Sequence, residues 1–165
     1  MNYATVQDMI DRFGELELIQ LTAGAGANAV DAGKIDRALA DAQAYLDGFV
    51  GAVYALPLTG CVKPAPTPQT PTAIALVPPP QLVRWSCDVA RYYLYDQVAP
   101  DHEVYVRFQA AQRDLQAVAA GKAVLACPWG GKPGVQLVGS EPGDGEVVFG
   151  FARRQITDDS TAGYR

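Results

Sequence analysis

In residues 34–58, KIDRALADAQAYLDGFVGAVYALPL, the apolar positions Ile35, Leu39, Ala42, Leu46, Phe49, Val53 and Leu56 follow one another at alternating steps of four and three. That spacing puts all seven on one stripe of an α-helix, while Asp36, Arg37, Asp41, Gln43 and Asp47 fall on the opposite face. An isolated amphipathic helix has no partner for such a stripe, so other segments must pack on it. The spacing predicts a central helix entered near Asp31 or Gly33 and ended at Leu56-Pro57, where proline removes a backbone donor.

The segments able to cover that stripe are legible on either side. Thr5 with Asp8 three residues on reads as a helix N-cap, followed by Val6, Met9, Ile10 and Phe13 on one face. Gly14 interrupts the pattern, and 15–21 forms a second short helix with Glu15 and Glu17 near its positive end. After the glycine-rich 22–33 loop and the central helix, the prolines of 58–80 forbid regular helix and favour extended chain. A helix opens at Pro79 or Pro80 and carries Val83, Cys87, Ala90 and Leu94 on one face, widened by Trp85, Val89, Tyr92 and Tyr93. Asp101 is placed to cap a last helix bearing Val104, Phe108, Ala111, Leu115 and Val118, with Gly121 and Lys122 as its stop.

The chain is therefore expected to be mainly α: a small helical bundle of about five helices over 1–125, with a long Pro-rich loop at 57–80. A C-terminal extension over 126–165 follows. Within it VQLVG and EVVFGF flank SEPGDG as a β-hairpin, and ARRQITDDSTAGYR continues as an extended arm. With 49 % hydrophobic and 19 % charged residues over 165 positions, the composition is that of one folded domain with an appended tail.

A formal net charge of −5 with no basic stripe argues against a protein that grips DNA or RNA through its phosphates. No signal-peptide pattern opens the chain, and no stretch reaches the roughly 18 continuous apolar residues of a membrane span. Cys61, Cys87 and Cys127 are odd in number and form no C-x-x-C pair, so they read as reduced thiols, with Cys87 a small core residue.

Catalytic chemistry finds little purchase. His102 is the only histidine and reads as structural or exposed rather than as a metal ligand. The three serines, at 86, 140 and 160, sit in no G-x-S-x-G or S-x-x-K pattern. The glycines of AGAGAN lack a preceding strand and the third glycine of a dinucleotide loop, and 130–133 lacks the Ser or Thr of a phosphate loop. Asp88 and Arg91, three apart, read as an ion pair on the helix surface or between subunits. Trp85, Tyr92, Tyr93 and Tyr95 present more aromatic surface than one helix face buries, which divides them between core and subunit interface.

Four ordered segments, MNYATVQDMIDRFGELELIQLT, IDRALADAQAYLDGFVGAVYALPL, DVARYYLYD and VRFQAAQRDLQAVAAGKAVL, resemble the Mu-like prophage proteins of the DUF1320 family. The closing RRQIT and GYR are similar to that family's C-terminal tail. The proline-rich stretch at 58–78 is longer than the family pattern, and 127–150 departs from it.

The resemblance implies a structural virion protein, not an enzyme and without a cofactor or metal. The protein so implied is a head-tail connector, also called an adaptor or head-completion protein, expected to be made in the host cytoplasm and located in the virion at the head-tail interface. It implies a ring of identical subunits, with the twelve-fold symmetry of a portal, between the portal and the tail or neck. DNA would pass through the lumen without sequence-specific binding, a passage that mild acidity suits. The residues expected to make protein contacts are Trp85, Asp88, Arg91, Tyr92, Tyr95, Arg153, Arg154 and Tyr164. A small helical enzyme or a nucleic-acid-binding module is the alternative.

Overall fold

Local capping chemistry sets the helix boundaries in the computed structural model, which describes residues 2–23, 28–64, 74–95 and 98–137. Thr5 Oγ1 accepts from the Asp8 N–H at 3.2 Å while Asp8 Oδ2 accepts from the Thr5 N–H at 2.8 Å, so α1 (Val6–Phe13) starts on a reciprocal capping box. Gly14, at φ +85°, ends α1 and admits α2 (Glu15–Thr22) on a new axis. Asp31 caps α3 (Ala32–Val50) through the Lys34 N–H at 3.1 Å. Pro80 occupies the first turn of α4 (Pro80–Leu94), where its missing donor costs nothing.

The last helix, α5 (Glu103–Ala119), is capped by His102 rather than Asp101: its Nδ1 accepts from the Val104 N–H at 3.2 Å. A turn closed by the His102 N–H on the Ala99 carbonyl moves the cap one residue along. Five helices among the described residues make the molecule mainly α, as its periodicity predicts.

The central helix is shorter than its sequence stripe. Helix ends at Val50, and Gly51 takes the cap. Beyond it the main chain is claimed by another partner: the Ala55 N–H donates to the Val135 carbonyl at 2.8 Å, and the Leu137 N–H to the Val53 carbonyl at 2.8 Å. Val53, in the turn that follows α3, and Tyr54 and Leu58 beyond it are still buried, whereas Leu56 is exposed. Apolar spacing reports burial, and here the same spacing continues after the backbone has left the helix.

Within the bundle α3 packs chiefly on α4, and α5 packs on both. Ile35, Leu39, Leu46, Leu82, Val89 and Leu115 are fully buried at that seam, each stabilising the fold by about 1.5–3 kcal/mol. The N-terminal helices are tied on by polar contacts. The Tyr3 hydroxyl donates to Asp47 on α3, and Lys34 Nζ donates to the Leu21 carbonyl at the end of α2 at 2.9 Å. Thr22 Oγ1 donates to the Leu18 carbonyl and accepts from the Asp31 N–H, linking the end of α2 to the cap of α3.

Part of the proline-rich loop is ordered as strands. β1 (Cys61–Pro64) and β2 (Ile74–Val77) pair antiparallel, in the register Cys61 with Val77 through Pro64 with Ile74. On its other side β1 meets the segment 130–137: the Val62 N–H donates to the Gly130 carbonyl at 3.0 Å, and the Gly60 N–H to the Pro133 carbonyl at 3.2 Å. The two chains come so close here that a Cβ on Gly60 would lie 2.1 Å from the Lys132 carbonyl oxygen. A Cβ on Gly131, at φ +84°, would lie 2.5 Å from the Gly60 oxygen.

This pairing brings Cys61 and Cys127, 66 residues apart, to a Cα separation of 5.1 Å and into a disulfide, correcting the reading of both as reduced thiols. No local spacing announces the bond, because it depends on 130–137 lying antiparallel to 53–62. Cys87 remains free in the core, where burial pushes its thiol up to about 12. Of the expected C-terminal hairpin, 135–137 is extended against 53–55 rather than described in a hairpin, and EVVFGF and the arm lie outside the described residues.

Unfolded without reductant, the chain should titrate one thiol, rising to three after reduction. Replacing Cys61 and Cys127 together by Ser should lower unfolding stability by about 2–4 kcal/mol. Gly60→Ala should cost about 1–3 kcal/mol by chemical denaturation, through the overlap with Lys132.

Candidate interaction surface

Most of the polar residues expected to reach outward are engaged within the subunit. Trp85 is only 5 % exposed, and its Nε1 donates to Asp114 Oδ2 on α5 at 3.2 Å; Arg84 shares that carboxylate at 3.3 Å. Arg91 does not pair with Asp88. Its Nε meets Glu17 Oε1 on α2 at 2.7 Å, its guanidinium lies 4.5 Å from the centre of the Phe13 ring, and the Tyr95 hydroxyl donates to the same Glu17 oxygen at 3.0 Å. Two residues from the end of α4, Arg91 and Tyr95, thus converge on one half-buried carboxylate of α2.

Asp88 turns instead to Arg107 on α5 at 4.0 Å, and Arg107 is also held by Glu103 at 2.6 Å. Helical spacing of three allows the Asp88–Arg91 pair, but each side chain finds a tertiary partner on another helix. Tyr92 stacks on Phe108 with ring centres 4.2 Å apart, next to Tyr105 and Tyr93. Tyr45 and Phe49 of α3 extend this group, and Tyr93 remains 40 % exposed at its rim. Burial pushes the Tyr45 and Tyr93 phenols above their ordinary range. Arg153, Arg154 and Tyr164 lie outside the described residues.

The exposed apolar surface is elsewhere. Of nine exposed large apolar side chains among the described residues, six, Leu56, Leu76, Val124, Trp129, Val135 and Leu137, belong to the strands and the extended segments around them. Leu76 and Trp129 line an open groove of about 460 Å³, together with Tyr3, Arg12, Lys63 and Val83. Lys63 Nζ sits 5.5 Å from the centre of the Trp129 ring, a cation–π contact at the groove wall. Sequence reasoning did not single out Leu76 or Trp129. The available signal was the IALV run, four strand-forming residues inside a proline-rich stretch.

Among the described residues no group of three or more His, Cys, Asp or Glu is placed to hold a metal ion. No helix there is long and apolar enough to cross a membrane. The helices thus carry the ion pairs Glu17–Arg91, Asp88–Arg107 and Arg84–Asp114, and most of the exposed apolar side chains lie on the sheet side.

One buried carboxylate gives a pH signature. Burial raises the Asp88 pKa above the ordinary aspartate value, partly offset by Arg107, Arg84, Arg12 and Arg91. The folded state therefore holds this proton more tightly than the unfolded chain, and the stability it contributes is lost as pH rises through the folded value. Asp88→Asn should gain stability relative to wild type as pH rises above about 4, the ordinary aspartate value, read by urea unfolding; a difference that is flat with pH would contradict this.

Comparison with known proteins shows the family. A family model described as Bacteriophage Mu, Gp36 matches residues 3–134, which includes all five helices and both strands. Gene product J of Escherichia phage Mu is 33 % identical over 123 residues, 74 % of each chain. The Mu-like prophage FluMu protein gp36 of Haemophilus influenzae is 31 % identical over 124 residues, 72 % of each. With a family match across most of its length and relatives aligned over the bundle, the chain belongs to the bacteriophage Mu Gp36 family of Mu-like phage proteins.

Proposed function

We propose that this protein is a non-enzymatic virion assembly subunit that forms a ring-shaped head-tail connector, joining the portal above to a tail or neck protein below. The observation that carries the reading is the placement of exposed apolar surface: six of the nine exposed large apolar side chains among the described residues lie on the strands and the extended segments around them, while Glu17, Arg91, Asp88 and Arg107 of the helices pair within the subunit. Large exposed apolar patches of this kind are contact surfaces, and a ring of identical subunits needs two different patches on each. Membership in a phage family supports a partner within the virion.

In this reading the ring carries the portal's twelve-fold symmetry and encloses the DNA passage. The net charge of −5 discourages DNA from adhering to the lumen. The C-terminal arm, with Arg153, Arg154 and Tyr164, docks on a neighbour or on the portal.

Electron microscopy of the protein mixed with the portal of its own phage tests this directly: ring-shaped density capping the portal supports the connector, and a monodisperse monomer that ignores the portal sinks it. Deletion of 152–165 should leave the melting temperature of the bundle within a few degrees of wild type yet reduce particle joining by about tenfold or more, as loss of one binding contact does. Unchanged joining in that deletion would refute the role of the arm.

A further inference from the structure

Among the described residues β1 has a neighbour on each side, and β2 has one on its β1 side only. The Val62 N–H donates to the Gly130 carbonyl, so Val62 turns its main-chain groups away from β2. Its cross-strand partner is Leu76. In an antiparallel ladder such a pair is the non-hydrogen-bonded kind, so the Leu76 N–H and C=O face outward along the edge of the sheet. The Leu76 side chain is 66 % exposed, and Trp129 shares the groove beside it. A four-residue strand stopped by Pro78, Pro79 and Pro80 is a short edge, the common protection against stray pairing. An exposed leucine at the centre of that edge is the opposite of the charge that usually guards one.

We propose that this edge receives residues 146–151, EVVFGF, of a second copy of the chain as an added strand. In extended form the run places Val147, Phe149 and Phe151 on one face at period two, an apolar face suited to Leu76 and Trp129. No other stretch of 138–165 combines β-branched and aromatic residues in this way.

Geometry favours a second copy over the same one. The described chain reaches residue 137 beside Val53, at the far end of the 130–137 segment from β1 and β2. Reaching the position of a strand added outside β2 means covering about seven residues of strand and three strand spacings, about 27 Å. The nine steps from residue 137 to residue 146 reach at most about 32 Å when fully straight. Residues 138–145 contain Pro142 and three glycines, Gly139, Gly143 and Gly145, a composition that turns rather than runs straight.

The contact joins two different surfaces, β2 on one copy and the 146–151 run on the next, so it repeats head to tail. It names the subunit contact of the ring proposed above and rests on that reading for closure alone.

The test uses full-length protein. One preparation carries Leu76→Cys and another carries cysteine at 147, 148 or 149 in turn. Mild oxidation of the mixture should give disulfide-linked dimers containing one chain of each kind for at least one of the three positions. Absence of a mixed dimer at all three overturns the proposal. So does a double variant, carrying both cysteines on one chain, that links only within a monomer.

Leu76→Pro, which removes the outward N–H, and Leu76→Lys, which places a charge on the edge, should each weaken self-association by about tenfold or more in sedimentation. The lysine variant should keep the wild-type melting temperature, and unaltered self-association in both counts against the edge contact. Mixed dimers without rings by microscopy would retain the edge contact and end the ring reading. Rings without mixed dimers would do the reverse.

Discussion

Burial of the α3 stripe against α4 is the interaction on which the rest of the structure depends. Ile35, Leu39, Ala42 and Leu46 are fully buried, and α5 closes over the same seam with Ala111, Leu115 and Val118. Everything else is fastened to this three-helix unit. The N-terminal helices are held through Tyr3, Lys34, Thr22 and the Glu17–Arg91 pair. The extended chain is held through Tyr54, whose hydroxyl accepts from the Leu125 N–H, and Gln81, which accepts from the Ala126 N–H. The polar links position elements whose cohesion is supplied by apolar burial, since each hydrogen bond contributes only about 1 kcal/mol net.

What could be read from the sequence was whatever depends on near neighbours. Thr5, Asp31, Pro80 and Gly14 act where they were expected to, because a cap, a proline at a first turn and a positive-φ glycine are decided within three or four residues. The features that escaped are those decided at long range. α3 stops at Val50 because 135–137 takes over the backbone of 53–55. Cys61 finds Cys127 because the same segment brings it there. Asp88 and Arg91 part company because Arg107 and Glu17 approach from other helices.

The candidate surface shows the same division. Aromatic residues on a helix attract attention in a sequence, yet Trp85 and Tyr95 use their polar atoms inside the subunit and Tyr92 is stacked on Phe108. Leu76 looks unremarked in a run of strand formers, and only its position on an outer edge gives it weight. Family membership makes this a Mu-like phage protein, and its fold is a helical bundle. The surfaces that distinguish one role from another lie in the segments added to that bundle.

The Cys61–Cys127 bond has a mechanical consequence. It closes a covalent loop that contains β2, α4 and α5, while α1, α2 and α3 lie outside it. Tension applied at the two ends of the chain passes through the sulfur bridge and bypasses the loop. About 220 Å of contour length, the extended span of the 66-residue separation at roughly 3.3–3.4 Å per residue, is thereby withheld from stretching. A pull on the tail of this protein can strip α3 from its partners, but it cannot draw out α4 and α5 while the bridge is intact.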